Sequence, residues 1–384
     1  MISKLFYPTS HADVGEIDLM RVSAPYITED DIEAVVSVLR SGMLAFGRVG
    51  EEFEKQLARY LGVKHVVAVS NGTAALYLSL KALGVGQGDE VIVPDFTFFA
   101  TASTALLAGA TPVLVDIELE TYTIDPDQLR KAVSNKTKVV VPVHLYGHPA
   151  DMDRVTEIAS ERQLYIVEDC AQALGAEIRG RKVGSLGHVA AFSFYPTKSI
   201  TTGEGGAVAT DSDDVADLVR LLRNHGQKSR YYHVELGWNM RITDVQAALG
   251  LSQLKRLDEM NEKRRRLARV YLEELASVPQ IRLPIEKPGV KHVYNLFTIW
   301  VEGDGARDRL ARYLRDRGIE TAVHYPIPLH RQPALAGAKR SPGCCPNSDI
   351  ASRHVLSLPL HPGLSESDVI AVARLVKSFF GERP

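Results

Sequence analysis

The chain has 384 residues, 45% of them hydrophobic and 24% charged, and a net charge of −2. That mix fits a globular protein with a large core and room for two domains, and it gives no support to a general nucleic-acid or polyanion-binding role. Its three cysteines, Cys170, Cys344 and Cys345, are too few for a disulfide framework and lack partners at metal-ligand spacing, so plain thiols, no metal and a reducing cytoplasm are expected.

Residues 1–20 read as a loosely patterned arm. They carry no signal-peptide pattern, because Lys4 stands alone and Asp13, Glu16 and Asp18 come early. No stretch approaches the length of a membrane span. Thr28 then caps a helix over 29–40, stopped by Ser41-Gly42, and a second helix over 49–61 stops at Gly62. From Val66 apolar strands alternate with helices. Strands are expected at 66–70, 90–94, 113–116, 138–144, 164–168, 189–194 and 207–210. Helices are expected at 72–83, 97–108, 152–160 and 214–224. This alternation predicts an α/β domain over 21–254 whose mainly parallel central sheet is flanked by helices. The strands are near-continuously apolar, as strands covered on both faces must be.

Beyond Ile242 the texture changes. Leucine spacing predicts one long helix over 244–276, then a strand at 295–301, a helix at 306–317, a Pro-rich loop at 326–348 and a last helix at 366–380. A smaller C-terminal α+β domain is expected over 255–384.

In such sheets ligands bind beyond the carboxyl ends of the strands, and four features there suit one cofactor. Lys198 sits between the strand ending at Phe194 and a turn containing Gly203, Gly205 and Gly206. Taken alone it is an ordinary surface lysine, but a loop lysine also forms Schiff bases with aldehydes, of which pyridoxal phosphate is the common cofactor. Asp169 follows a buried strand. It reads either as a cap or ion pair or as the carboxylate that keeps a pyridinium nitrogen protonated. Asn71-Gly72-Thr73 places a helix N-terminus at a strand end, a bland turn or a phosphate cradle, to which Ser193 adds a hydroxyl. Among Phe96, Phe98 and Phe99, one aromatic is free to stack on a ring while the others fill the core.

Taken together, these motifs resemble the DegT/StrS family of nucleotide-sugar aminotransferases, fold type I among pyridoxal-phosphate enzymes. The matching stretches include Ser70-Asn-Gly-Thr-Ala-Ala-Leu76, Val143-His-Leu-Tyr-Gly147, Glu168-Asp-Cys-Ala-Gln-Ala173, Ser193-Phe-Tyr-Pro-Thr-Lys198 and Gly237-Trp-Asn-Met-Arg241, and the likeness leaves out only residues 1–20. The resemblance implies Lys198 as Schiff-base lysine and proton shuttle, Asp169 as pyridinium partner, and Gln172 beside the phenolic oxygen. It implies Gly72, Thr73 and Ser193 as phosphate cradle, Phe98 as stacking aromatic, and Asn239 as a phosphate ligand given to the neighbouring subunit of a homodimer with shared active sites. Cys170 stands where many relatives carry alanine.

The run His324-Tyr-Pro-Ile-Pro-Leu-His330 resembles members acting on 3-keto more than on 4-keto sugars, with His324 and His330 as sugar or diphosphate contacts. Arg241, with Arg223, His225, Lys228 and Arg230, is expected to form a basic mouth for a nucleotide diphosphate. The implied reaction moves an amino group from an amino acid, L-glutamate as in the family, to a keto sugar for glycan or antibiotic biosynthesis. Dehydratase relatives carry histidine in place of the lysine, so Lys198 favours transamination; an inositol-type aminotransferase and a regulatory relative stay open.

Overall fold

The computed structural model describes residues 19–381. The arm expected over 1–20 lies, but for its last two residues, outside the described residues. Helix α1 (Glu29–Ser41) begins with the Asp31 carboxylate accepting the Thr28 N–H at 3.0 Å and ends at Gly42, whose φ of 69° suits glycine. After α2 (Arg48–Leu61), alternation sets in: β1 (His65–Val69), α3 (Gly72–Ala82), β2 (Glu90–Pro94), α4 (Phe99–Leu107), β3 (Thr111–Val115), α5 (Pro126–Ala132), β4 (Thr137–Val140), α6 (Met152–Arg162) and β5 (Tyr165–Asp169). A hairpin, β6 (Glu177–Ile178) and β7 (Arg181–Lys182), precedes β8 (Val189–Ser193) and β9 (Gly206–Thr210). Helix α7 (Asp213–Leu222) leads to a second hairpin, β10 (Gln227–Ser229) and β11 (Tyr232–His233).

Helices α8 (Asp244–Leu254) and α9 (Leu257–Leu275) open the C-terminal part. It continues with β12 (Ile281–Arg282), β13 (Val290–Lys291), β14 (Phe297–Val301), α10 (Ala306–Arg315), β15 (Lys339–Arg340), α11 (Pro346–His354), β16 (Val355–Leu358) and α12 (Glu366–Phe379).

The central sheet has eight strands in the order β1-β9-β8-β5-β4-β2-β3-β15. From β8 to β15 every pairing is parallel, while β9 runs antiparallel to both β8 and β1. Valine and alanine side chains from β1, β2, β5, β8 and β9 pack against α3, α4 and α7 on one face. On the other face, α2 and α8 cover β1, β8 and β9, and α6 covers β2, β4 and β5. A second core gathers α9, α10 and α12 on the antiparallel sheet β12-β14-β16. Helix α9 serves both bodies: Leu257 and Met260 pack with the α2 core, and Leu267, Tyr271 and Leu275 with the C-terminal one.

Four expectations need correction. The single helix over 244–276 is two helices, interrupted at Lys255 and Arg256. The strand over 138–144 stops at Val140, because Pro142 has no N–H to pair and His144 turns to bond the Asp169 carbonyl. The Pro-rich loop supplies β15, which adds an edge to the sheet beside β3. Cys344 and Cys345, expected as separate thiols, have their sulfurs against each other.

Candidate active site

A cavity of about 990 Å³ opens over the carboxyl ends of β1, β2, β5 and β8. Asp169, Gln172, Ser193, Lys198, Gly72, Thr73, Phe98 and His324 all line it.

Lys198 lies on the connection between β8 and β9, half-buried, its N–H donating to the Tyr195 carbonyl at 2.9 Å. Burial lowers its amine from the ordinary 10.5 to about 8, against an upward pull from Asp169. Asp169 is the last residue of β5 and 5% exposed. Burial pushes its carboxyl up. The Thr101 hydroxyl at 2.8 Å, the Ala171 N–H at 3.2 Å and the charge of Lys198 pull it down. Its neighbour Glu168 faces the opposite side of the strand, as alternation requires. There it accepts hydrogens from His144 Nε2 at 3.0 Å and from the backbone of Gly184, Leu186 and Gly187 at 2.9, 2.8 and 2.7 Å.

Gln172 is held at both ends. Its Oε1 accepts the Tyr146 N–H at 2.7 Å, and its Nε2 donates to the Tyr325 hydroxyl at 3.1 Å. At the mouth of β1, the Asn71 side chain accepts the Ala74 N–H at 2.8 Å, and Ala75 makes the first bond of the α3 ladder. That leaves the N–H groups of Gly72 and Thr73, with the Thr73 hydroxyl, facing the cavity. A Cβ on Gly72 would lie 2.8 Å from Ser193 Cβ, so the cradle admits only glycine there. Phe98 is 57% exposed and lines the cavity, whereas Phe96, at 1%, belongs to the core. His324 Nδ1 faces the Ser357 hydroxyl at 3.0 Å, and burial, helped by Lys198, brings the ring down to about 4.

Three residues are placed elsewhere. His330 is held by Asp95, through its backbone N–H at 2.7 Å and Nδ1 at 2.6 Å, with Asp349 3.3 Å from Nε2; both ring nitrogens are engaged away from the cavity. Arg241 donates to Asn224 Oδ1 at 2.6 Å. Asn239 is exposed, while its neighbours Trp238 and Met240 line the cavity. In an extended segment that alternation sends Asn239 and Arg241 outward together. Of the basic mouth, Arg223 is buried in an ion pair with Glu54, and His225, Lys228 and Arg230 are exposed on and beside the β10–β11 hairpin.

Sequence reading missed Thr101, a hydroxyl on an ordinary-looking helix, and Tyr325, whose ring lies 6.2 Å from that of Phe98. It also missed Tyr77 and Trp238, which meet edge-on at 5.0 Å in the cavity wall.

The donor set suits pyridoxal phosphate: free helix N–H groups and hydroxyls for a phosphate, a buried carboxylate, and the Lys198 amine lining the same cavity. Fold and site together define a pyridoxal-phosphate transferase of fold type I. The comparisons agree, since the profile of the DegT/DnrJ/EryC1/StrS aminotransferase family matches residues 25–377, and the chain belongs to that family. It is 41% identical to dTDP-3-amino-3,4,6-trideoxy-alpha-D-glucose transaminase of Streptomyces venezuelae, over 97% of this chain and 98% of that one. It is 40% identical to UDP-2-acetamido-2-deoxy-3-oxo-D-glucuronate aminotransferase of Pseudomonas aeruginosa, over 89% and 94%. The structure of Spr1654 from Streptococcus pneumoniae in its PLP-form superposes with a TM-score of 0.89 at 32% identity, covering 94% of this chain and 99% of that one. The protein is an aminotransferase, and pyridoxal phosphate is its cofactor.

Proposed function

We propose that the protein transfers an amino group from an amino acid, L-glutamate, to the ketone of a nucleotide-linked sugar, with a 3-keto sugar preferred. The observation that carries this reading is the convergence of Lys198, Asp169 and the Gly72–Thr73 helix start on one cavity much larger than an amino acid needs. The names of the two relatives above, a 3-amino and a 3-oxo nucleotide sugar, support the position of the ketone.

Pyridoxal phosphate supplies the aldehyde that carries the amine and the ring that takes up the electron pair released at the amino-bearing carbon. The Gly72 and Thr73 N–H groups with the Thr73 and Ser193 hydroxyls would hold its phosphate, and Phe98 would offer an aromatic surface to its ring. Asp169 Oδ holds a proton on the ring nitrogen. Gln172 orients the phenolic oxygen. Lys198 Nζ would anchor the cofactor and, as a free amine, would take and return the proton at the amino-bearing carbon. His324, uncharged at neutral pH, hydrogen-bonds the sugar.

The outward turn of Asn239 supports a homodimer in which that side chain reaches the phosphate of the neighbouring site. Arg241, with the hairpin cations Lys228 and Arg230, meets the nucleotide diphosphate there. No helix among the described residues is long and apolar enough to cross a membrane, and we place the enzyme in the cytoplasm. The test is to load the enzyme with amine from a panel of amino acids and offer 3-keto and 4-keto nucleotide sugars. Discharge by 3-keto sugars after L-glutamate loading is expected; discharge only by ketones without a nucleotide refutes the reading.

A further inference from the structure

One wall of the cavity is built from a backbone crossing with no slack. Tyr146, Gly147 and Tyr294 have φ values of 58°, 101° and 47°, a region that bulky side chains seldom occupy. Val293 donates to the Gly147 carbonyl at 3.2 Å and Leu296 to the Tyr146 carbonyl at 3.3 Å. A Cβ on Gly147 would lie 2.8 Å from Val293 Cγ2, 3.0 Å from the Asn295 nitrogen and 3.1 Å from the Gln172 carbonyl. The crossing therefore presses residues 293–296 onto the loop that carries Gln172, and it presents Asn295 to the cavity.

Asn295 is 3% exposed, and its Oδ1 is fully buried with no hydrogen-bond partner among the described residues. Neighbouring polar groups differ: Gln172 is bonded at both ends, the Tyr146 hydroxyl donates to the His324 carbonyl, and His324 meets Ser357. A buried amide oxygen left unpaired costs stability, and in a cavity wall a ligand hydroxyl or an ordered water makes that deficit good.

Resting on the reaction proposed above, we infer that Asn295 is a specificity-determining residue for the keto-sugar substrate, its carboxamide hydrogen-bonding a sugar hydroxyl. A neutral amide and a hydroxyl each both donate and accept, so they match. The carboxylate of an amino-acid donor calls for a cation instead. Asn295 thus reads the sugar and is indifferent to the amino acid.

The two half-reactions separate these roles. Wild type, Asn295→Ala and the volume-conserving Asn295→Leu are loaded with pyridoxal phosphate. Each is mixed in single turnovers with L-glutamate, with dTDP-3-amino-3,4,6-trideoxy-α-D-glucose, or with the UDP-linked 3-amino glucuronate, the amino sugars running the sugar step in reverse. Both variants are expected to lose roughly tenfold to a hundredfold in kcat/KM toward an amino sugar that wild type accepts. Their rates with L-glutamate and their cofactor absorbance are expected to stay within about twofold of wild type. Unchanged amino-sugar rates, or equal losses in both half-reactions, overturn the inference while leaving the proposed function standing. A wild type that reacts with L-glutamate but with neither of these amino sugars nor any other amino nucleotide sugar removes the proposed function and this inference with it.

Discussion

Thr101 donates its hydroxyl to Oδ2 of Asp169 at 2.8 Å, joining the first turn of α4 to the end of β5. Burial favours the uncharged form of Asp169, and this bond opposes it. Thr101→Val is therefore expected to raise the Asp169 carboxyl further and weaken its hold on a protonated ring nitrogen. A charge-assisted bond of this kind contributes about 1.5–3 kcal/mol, so the dissociation constant for pyridoxal phosphate should rise roughly tenfold or more. Equilibrium dialysis against the cofactor measures it; unchanged affinity shows that the bond is incidental.

The Lys198 amine of the cofactor-free protein titrates near 8. Only its neutral form attacks an aldehyde. The rate of cofactor capture should therefore climb about tenfold per pH unit below that value and level off above it. The folded value lies below the ordinary 10.5, so the unfolded chain binds the extra proton between about 8 and 10.5. This group alone makes the cofactor-free protein more stable as pH rises through that window. Stopped-flow absorbance gives the first slope and urea melts the second; a pH-independent capture rate contradicts the titration.

Glu168 accepts four hydrogen bonds with no exposed surface. Burial raises its carboxyl, but His144 and the backbone donors outweigh it and leave it below the ordinary 4.5. Its stabilisation is complete above about 4.5 and is lost as pH falls through the lowered value. Glu168→Gln turns an amide against the backbone donors and should cost about 3 kcal/mol at neutral pH. The difference from wild type should narrow in acid, as guanidinium melts at several pH values show.

If Asn239 serves the neighbouring site, two inactive variants should complement each other. Lys198→Ala removes the amine and Asn239→Ala the donated phosphate ligand, from different chains of one site. Co-expressed, they should form mixed dimers in which one site has both groups intact, restoring roughly a quarter of wild-type activity if subunits pair at random. A mixture no more active than its components places Asn239 in its own chain's site.

Much of the cofactor side was legible because it depends on short-range rules. Asn71 and Gly72 announce a helix start, Pro196 and the glycines after it announce a loop, and apolar runs end at Asp169. What escaped depends on contacts far apart in sequence. The partner that occupies His330, Asp95, lies 235 residues away, so the histidine looked free. Thr101 reads as one more helical threonine until β5 arrives beneath it. The break at Lys255–Arg256 carries neither glycine nor proline and leaves the leucine spacing undisturbed, so no local signal announces it; α8 and the start of α9 pack into the same core on either side of it. Lys339–Arg340 is polar and exposed, and becomes a strand only because the β3 edge offers backbone groups.

The one antiparallel strand among parallel neighbours has a mechanical consequence for the lysine. β8 and β9 are paired from Val189↔Thr210 to Ser193↔Gly206, and Phe194 closes the arch with bonds to Gly205 and Thr202. Lys198 thus rides on a short bridge with both abutments set in one rigid ladder. A parallel crossover would have carried the chain to the far side of the sheet and left the lysine hanging from one end. Displacement during turnover is then confined to the side chain's own rotations, and one residue added to or removed from 195–201 should misplace the amine without unpairing either strand.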